Sequence, residues 1–186
     1  MTTYVALLRG INVGGHAKVA MEDLRRVVQA LGHSEVTTYI QSGNVVFNGR
    51  GDDPGSLARD IESAIKGDIG LEVTVVVRTG EDLARVAATN PFLEGQAEVS
   101  KLHVAFLAEA PDDDRAAALT VPAGEPDQLR LAGREVYLHY PNGTGRSKLT
   151  NAYLEKRLGV AATTRNWRTV TKLAEMAARA GTGGRR

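Results

Sequence analysis

The order in which strand-like and helix-like segments alternate constrains the fold of this chain more than any other feature. Residues 2–9 (TTYVALLR) form a β-rich run, and apolar residues at helical spacing follow in AMEDLRRVVQALG. Two strand-like runs, EVTTYI and NVVFN, flank a turn at QSGN. A helix is predicted to begin at Asp53-Pro54, and LEVTVVVR is predicted to form a further strand. This order, β-α-β-β-α-β, is typical of ferredoxin-like folds.

The same order recurs in the second half of the sequence. The strand-like run KLHVAFLA is followed by a short helical segment, DDDRAAALT, and by a predicted hairpin in DQLRLAGREVYLHY with its turn near Gly133. A helix capped by Ser147, a strand in VAATTR and a last helix capped by Asn166 complete the pattern. The halves share no residue-level repeat, so the predicted likeness is one of topology.

We therefore predict an α+β protein with two ferredoxin-like (βαββαβ) modules in tandem and an extra C-terminal helix. The first module is expected to span residues 1–78 and the second residues 79–180. Residues 181–186 (GTGGRR) are expected to form a disordered tail.

The composition excludes several classes of protein. The 186 residues include no cysteine, which excludes disulfides, thiolate metal sites and a cysteine nucleophile. The N-terminus lacks the basic segment of a signal peptide, and no run approaches the roughly 18 apolar residues of a membrane helix. We therefore expect a cytoplasmic protein that does not contact a membrane. The four histidines have no metal-binding spacing, so neither a metal nor a cofactor is predicted.

Basic residues are concentrated near the C-terminus. Between residues 143 and 172 there are seven basic residues and one acidic residue, so this stretch carries +6 in a chain of net charge +1. Such a charge separation can attract a polyanion or a phosphorylated ligand, although a solvated helical face would show the same pattern.

Glycines follow the first strand in LLRGINVGGHAK. Their spacing matches no dinucleotide fingerprint, and it matches no P-loop because His16 and Ala17 stand where a lysine and a hydroxyl belong. Glycines at positive φ can still present N–H groups to an anion, here between Arg9 and Lys18. The alternative is a loop that needs glycine for steric reasons only.

Two predicted helix starts carry cations. They contain Arg146, Ser147 and Lys148 at the first and Arg165, Asn166 and Arg168 at the second. Cations oppose the dipole at a helix start, so their presence indicates a bound anion. Trp167 fits an apolar helical stripe and is predicted to lie in the core rather than to stack on a base.

These elements lead us to predict a basic cleft between the modules that binds a phosphate-bearing ligand, either a nucleotide or a nucleic-acid strand. The candidate ligand-binding residues are Arg9, Asn12, Gly14, Gly15, Gln41, Ser42, Asn44, Arg146, Ser147, Lys148, Arg165, Asn166 and Arg168. Turn chemistry is the alternative role of Gln41, Ser42 and Asn44. Two other functions stay open: an enzyme acting on a phosphorylated small molecule, with His16 as a candidate base and no assigned catalytic residue, and a protein-interaction scaffold.

Several sequence strings closely resemble the bacterial family known as domain of unknown function 1697. They are LLRGINVGG, TYIQSGNVVF, NPF, YLHYPNGTGRSKLT, LEKRLG and ATTRNWRTV followed by KL, between Tyr4 and about Ala177. The resemblance implies a two-part α+β protein with ferredoxin-like modules. The family has no established activity, so the resemblance implies no catalytic residue.

Overall fold

The computed structural model of this chain describes residues 1–95 and 97–183. Within them lie two four-stranded antiparallel sheets and six α-helices, which confirms the predicted α+β class. The chain divides into two compact units: the first contains residues 1–85 and the C-terminal residues from Lys172, and the second contains residues 86–171. None of the described helices combines the length and apolar character needed to cross a bilayer.

The elements of the first unit follow the order expected from the sequence. They are β1 (Thr2–Leu8), α1 (Met21–Ala30), β2 (Ser34–Tyr39), β3 (Asn44–Gly49), α2 (Pro54–Ile69), β4 (Val75–Thr79) and most of α3 (Gly80–Ala88). The strands form an antiparallel sheet in the order β2-β3-β1-β4. Apolar residues of one sheet face form a single core cluster with α1 and α2, including Ala6, Leu8, Phe47, Leu24 and Ile61.

The second unit repeats this order of elements. A single 3₁₀ turn (Val99–Lys101) precedes β5 (Leu102–Leu107), α4 (Asp113–Ala118), β6 (Gln128–Ala132), β7 (Glu135–His139), α5 (Asn151–Leu158), β8 (Ala162–Asn166) and the first turn of α6 (Trp167–Gly183). The sheet order is β6-β7-β5-β8, again antiparallel. Its core cluster includes Leu107, Leu138, Leu154 and Leu158.

From Lys172 onward, α6 belongs to the first unit, whereas the predicted second module spans residues 79–180. Small residues explain this packing: a Cβ added at Gly80 would lie 3.4 Å from the Cβ of Ala177. The side-chain amide of Asn48 also donates to the carbonyl of Ala180 at 3.3 Å. α6 extends to Gly183, three residues into the predicted tail, and the last three residues of that tail lie outside the described residues.

One of the two predicted helix caps is wrong and the other is confirmed. Ser147 does not cap α5, because α5 begins at Asn151 and the hydroxyl of Thr150 accepts the N–H of Tyr153 at 3.1 Å. The cap of α6 is confirmed, since Asn166 Oδ1 accepts the N–H of Thr169 at 2.8 Å.

The last strand of each unit is closed at its outer edge by the helix that precedes it. Glu62 Oε1 in α2 accepts the N–H of Val75 in β4 at 2.8 Å. Glu155 Oε2 in α5 accepts the N–H of Ala162 in β8 at 3.0 Å. In both units a carboxylate therefore satisfies an amide that would otherwise face outward without a partner.

The turn between β2 and β3 is fixed against the end of β1 by Gly43. Its carbonyl accepts the N–H of Leu8 at 2.9 Å, and its φ is +85°. A Cβ at this position would lie 2.6 Å from Ile11 Cδ1 and 2.9 Å from Leu8 Cβ. Both the backbone angle and the space therefore require glycine.

We expect Gly43→Ala to lower the free energy of unfolding by about 3 kcal/mol, because the new methyl group adds a clash to the strain of positive φ. The matched control is Gly15→Ala, where φ is +77° but no atom lies within 4 Å of the added Cβ. The control should lose only about 1 kcal/mol in urea unfolding. An equal decrease in the free energy of unfolding in the two variants would show that the clash at Gly43 does not destabilise the protein.

Candidate functional site

The glycine loop after β1 forms a small hairpin. The N–H of Asn12 donates to the carbonyl of Ala17 and that of His16 to the carbonyl of Val13, both at 3.0 Å. Gly14 and Gly15, at the tip, have φ of +58° and +77°, as a two-residue type I′ turn requires. The turn geometry alone explains why glycine occupies both positions, as the steric alternative predicts. That these glycines bind an anion stays a prediction.

Asn12 joins the glycine loop to the turn between β2 and β3. Its Nδ2 donates to the carbonyl of Val19 at 3.0 Å and to the carbonyl of Gln41 at 2.7 Å. Its Oδ1 accepts the N–H of Val19 at 2.9 Å. With both donors used, Asn12 has a structural function, and a role in orienting a ligand stays a prediction.

Two other candidates of the first unit, Ser42 and Asn44, also take part in local structure. Asn44 is completely buried, and its Nδ2 donates to the carbonyl of Tyr39 at 2.8 Å and to Ser42 Oγ at 3.0 Å. The contacts of Ser42 and Asn44 are therefore those of residues that form a turn. The side chains of Arg9 and Gln41 lie at the surface.

In the second unit, Arg146 and Ser147 line a cleft of about 510 Å³ together with Glu125 and Asp127. The Asp127 side chain is buried, with 6% of the residue exposed, and accepts a hydrogen bond from the Ser147 hydroxyl. Ser147 Oγ also accepts the N–H of Leu149 at 3.0 Å. Burial, and secondarily the charge of Asp127, raises the pKa of Tyr140 to about 12. The cleft thus combines one cation with two carboxylates, which disfavours an anionic ligand.

Asn166 and Arg168 line a separate groove of about 490 Å³ at the start of α6. The remaining lining residues are Val99, Ser100, Trp167 and Thr171. Trp167 is 6% exposed, which confirms the prediction that it belongs to the core. Arg168 lies exposed in the first turn of the helix. The groove therefore brings together one cation, two hydroxyl-bearing residues and an apolar wall.

Arg165 lies three residues before Arg168 but is 7% exposed. Its Nη1 donates to Thr163 Oγ1 at 2.6 Å and to the carbonyl of Thr164 at 3.1 Å. Burial lowers the pKa of its guanidinium to about 10, so the group stays charged at neutral pH. It is not among the residues that line the groove, and its function as a ligand contact stays a prediction.

Three residues that define these sites carry no recognisable signal in the sequence. Asp127 meets Ser147 across 20 positions of chain, and Val99 and Ser100 reach the groove from the 3₁₀ turn. Another unsuspected group is His103, whose pKa is lowered by burial and whose ring meets Tyr140 edge-on with centroids 5.1 Å apart. In the described part of the chain, no group of three or more His, Asp or Glu side chains could hold a metal ion.

The hydrogen bonds of Asn12 predict a loss of stability when its side chain is removed. Asn12→Gly keeps the positive φ of +54° but loses three hydrogen bonds, so we expect a loss of about 2 kcal/mol in urea unfolding. Asn12→Ala should lose about 1 kcal/mol more, because alanine adds backbone strain. Unfolding free energies equal to that of the parent chain would contradict the structural role.

The fold is shared with a solved bacterial structure. Conserved bacterial protein SP0830 from Streptococcus pneumoniae is 24% identical, with a TM-score of 0.71, over 95% of this chain and 98% of that chain. At this level of identity the similarity establishes the fold alone. None of the curated proteins compared with this chain matches it.

The family resemblance described from the sequence is confirmed. The family model for "Protein of unknown function (DUF1697)" matches residues 1–137, which include the glycine loop and the turn between β2 and β3. The match ends within β7, so the resemblance of the later strings, up to about Ala177, stays a prediction. With nearly three quarters of its length matched, the chain belongs to the DUF1697 family of proteins of unknown function.

Proposed function

We propose that this protein binds a small phosphate-bearing ligand in the groove at the start of α6. The observation that carries the proposal is the exposed cation Arg168 in the first turn of a 17-residue helix, beside a groove of ligand size. No carboxylate is present among the described residues that line the groove. The groove therefore differs in charge from the cleft at Asp127.

The helix dipole supports an anion at this position. The N-terminus of a helix carries a partial positive charge, so Arg168 is electrostatically unfavourable there in the absence of a ligand. A phosphate would accept hydrogen bonds from the guanidinium and would be favoured by the same dipole. The hydroxyl group of Ser100 adds a polar group around it, whereas Thr171 Oγ1 donates to the carbonyl of Trp167 at 3.1 Å.

The shape of the groove favours a small molecule over a nucleic-acid strand. A volume of about 490 Å³ is typical of small-molecule sites. Readers of single-stranded RNA stack bases on exposed aromatic rings. Phe47, Tyr137, Tyr140 and Trp167 are buried here, and Tyr39 is half-buried. Val99, 57% exposed, offers an apolar contact for the part of the ligand that carries the phosphate.

We also propose that each unit is a ferredoxin-like module. The order β-α-β-β-α-β and the antiparallel sheet orders β2-β3-β1-β4 and β6-β7-β5-β8 support this assignment.

The proposed function is tested by titrating the protein with inorganic phosphate and with AMP at low ionic strength. Amide shifts in NMR spectra should be centred on residues 166–171 for both probes. Arg168→Gln should weaken binding at least about tenfold, because a hydrogen bond to a charged group is lost. The matched control is Arg179→Gln on the same helix, where an exposed arginine pairs with Glu175 instead.

Equal weakening by both arginine variants would mean that net charge alone attracts the probes. Shifts centred on Arg146 and Lys148 would move the site to the loop before α5. Absence of shifts at low salt for both probes would contradict the proposal.

A further inference from the structure

We propose that β6 is a docking edge that accepts an extended peptide segment of another protein, with an acidic side chain opposite Arg130. This interaction is independent of the groove at α6. It rests on a comparison of the four edge strands, β2, β4, β6 and β8, which lie at the ends of the two sheets.

Two edges are closed by hydrogen bonds from side chains. On β4, Glu62 accepts the N–H of Val75, and Asp82 Oδ2 accepts the N–H of Thr79 at 3.1 Å. On β8, both backbone groups of Ala162 are bound, the N–H by Glu155 and the carbonyl by Asn151 Nδ2 at 2.9 Å. An added strand would have to displace these contacts.

The edge of β2 is interrupted by a bulge. Its register against β3 shifts between Ser34 and Thr37, and Glu35 has a φ of +51°. Bulges of this kind bend an edge strand and prevent regular pairing with another chain.

The edge of β6 has none of these protections. Its register against β7 is continuous from the pair Gln128–His139 to the pair Ala132–Glu135, which closes a two-residue turn. In such a hairpin the closing pair is hydrogen-bonded, and pairs alternate, so the N–H and carbonyl groups of Leu129 and Leu131 point outward. Within the described part of the chain, no hydrogen bond reaches these outward groups.

The two faces of β6 define the peptide that would fit. Leu129 and Leu131 are half-buried and pack on the core cluster of the second unit, so they favour apolar side chains in the added strand. Arg130 lies exposed on the opposite face. A residue directly opposite Arg130 would come into close contact with it, which favours a carboxylate.

The same arginine disfavours a second copy of this chain as the partner. Pairing β6 with β6 over its full five residues, around a two-fold axis, places Arg130 directly opposite Arg130 of the copy. Like charges at directly opposite positions destabilise a strand pair. Arg130 therefore selects a different, acidic segment while opposing self-association.

The test uses the peptide Ac-TVEVT-NH2, whose two valines would pair with Leu129 and Leu131 and whose glutamate would face Arg130. NMR titration at low salt should shift the amides of Leu129 and Leu131 and slow their hydrogen exchange. Replacing the glutamate by lysine should weaken binding about fivefold. N-methylation of both valines should abolish binding, because it removes the hydrogens that point toward β6.

Protein variants provide a second arm. Arg130→Glu should reverse the preference, so that the lysine peptide binds more tightly than the glutamate peptide. The control variant Lys156→Glu, an exposed residue of α5, should keep the original preference. The N-methylated peptide is compared with the parent peptide on the unmodified protein. That comparison would therefore remain valid if Arg130→Glu failed to fold.

Three results would overturn the proposal. The first is the absence of amide shifts at Leu129 and Leu131 at millimolar peptide, and the second is equal binding of the N-methylated peptide. The third is a dimer in sedimentation that Leu131→Pro dissociates and Leu131→Ala does not, which would make a second copy the partner. Phosphate binding at Arg168 would be unaffected by any of these results.

Discussion

The need of every strand-edge amide for an acceptor shapes both units of this protein. An open four-stranded sheet has two edges, and unpaired backbone groups at an edge either contact water or must be bound. In each unit the edge of the last strand receives a glutamate from the helix before it, Glu62 for β4 and Glu155 for β8. The two glutamates precede their partner residues by 13 and 7 positions, so the same solution arises without a repeated sequence. The edge of β6 receives no such side chain in the described part of the chain.

Most of the fold could be predicted from periodicity and turn chemistry. Helical apolar stripes identified α1 and α2, and the closing turn at Gly133 and the cap at Asn166 followed from the conformations that these residues favour. The same reasoning predicts Ser147 as a cap, but its hydroxyl donates to Asp127 and accepts the N–H of Leu149. A local pattern cannot reveal a partner 20 residues away. The packing of α6 with the first unit depends similarly on Gly80 and Ala177, which are distant in sequence.

The candidate site was harder to predict because asparagines in or beside turns serve two kinds of chemistry. An amide side chain that could orient a ligand can equally satisfy backbone groups, and Asn12 and Asn44 do the latter. The basic residues separate for a different reason. Arg165 lies in a strand, where alternation directs it to a buried face with Thr163, whereas Arg168 lies one step into a helix and is exposed. A count of charges along the sequence cannot distinguish the buried Arg165 from the exposed Arg168.

The hairpin tip at Gly14 and Gly15 has an evolutionary consequence. The bonds of Asn12 to Val19 and Gln41 close the loop below this tip, and a side chain added at Gly15 would meet no atom within 4 Å. Extra residues inserted between the two glycines would project away from the sheet and leave the bonds beneath them intact. Related chains could therefore diverge in length at this point, and an affinity tag or fluorophore placed there would leave the core of the first unit undisturbed.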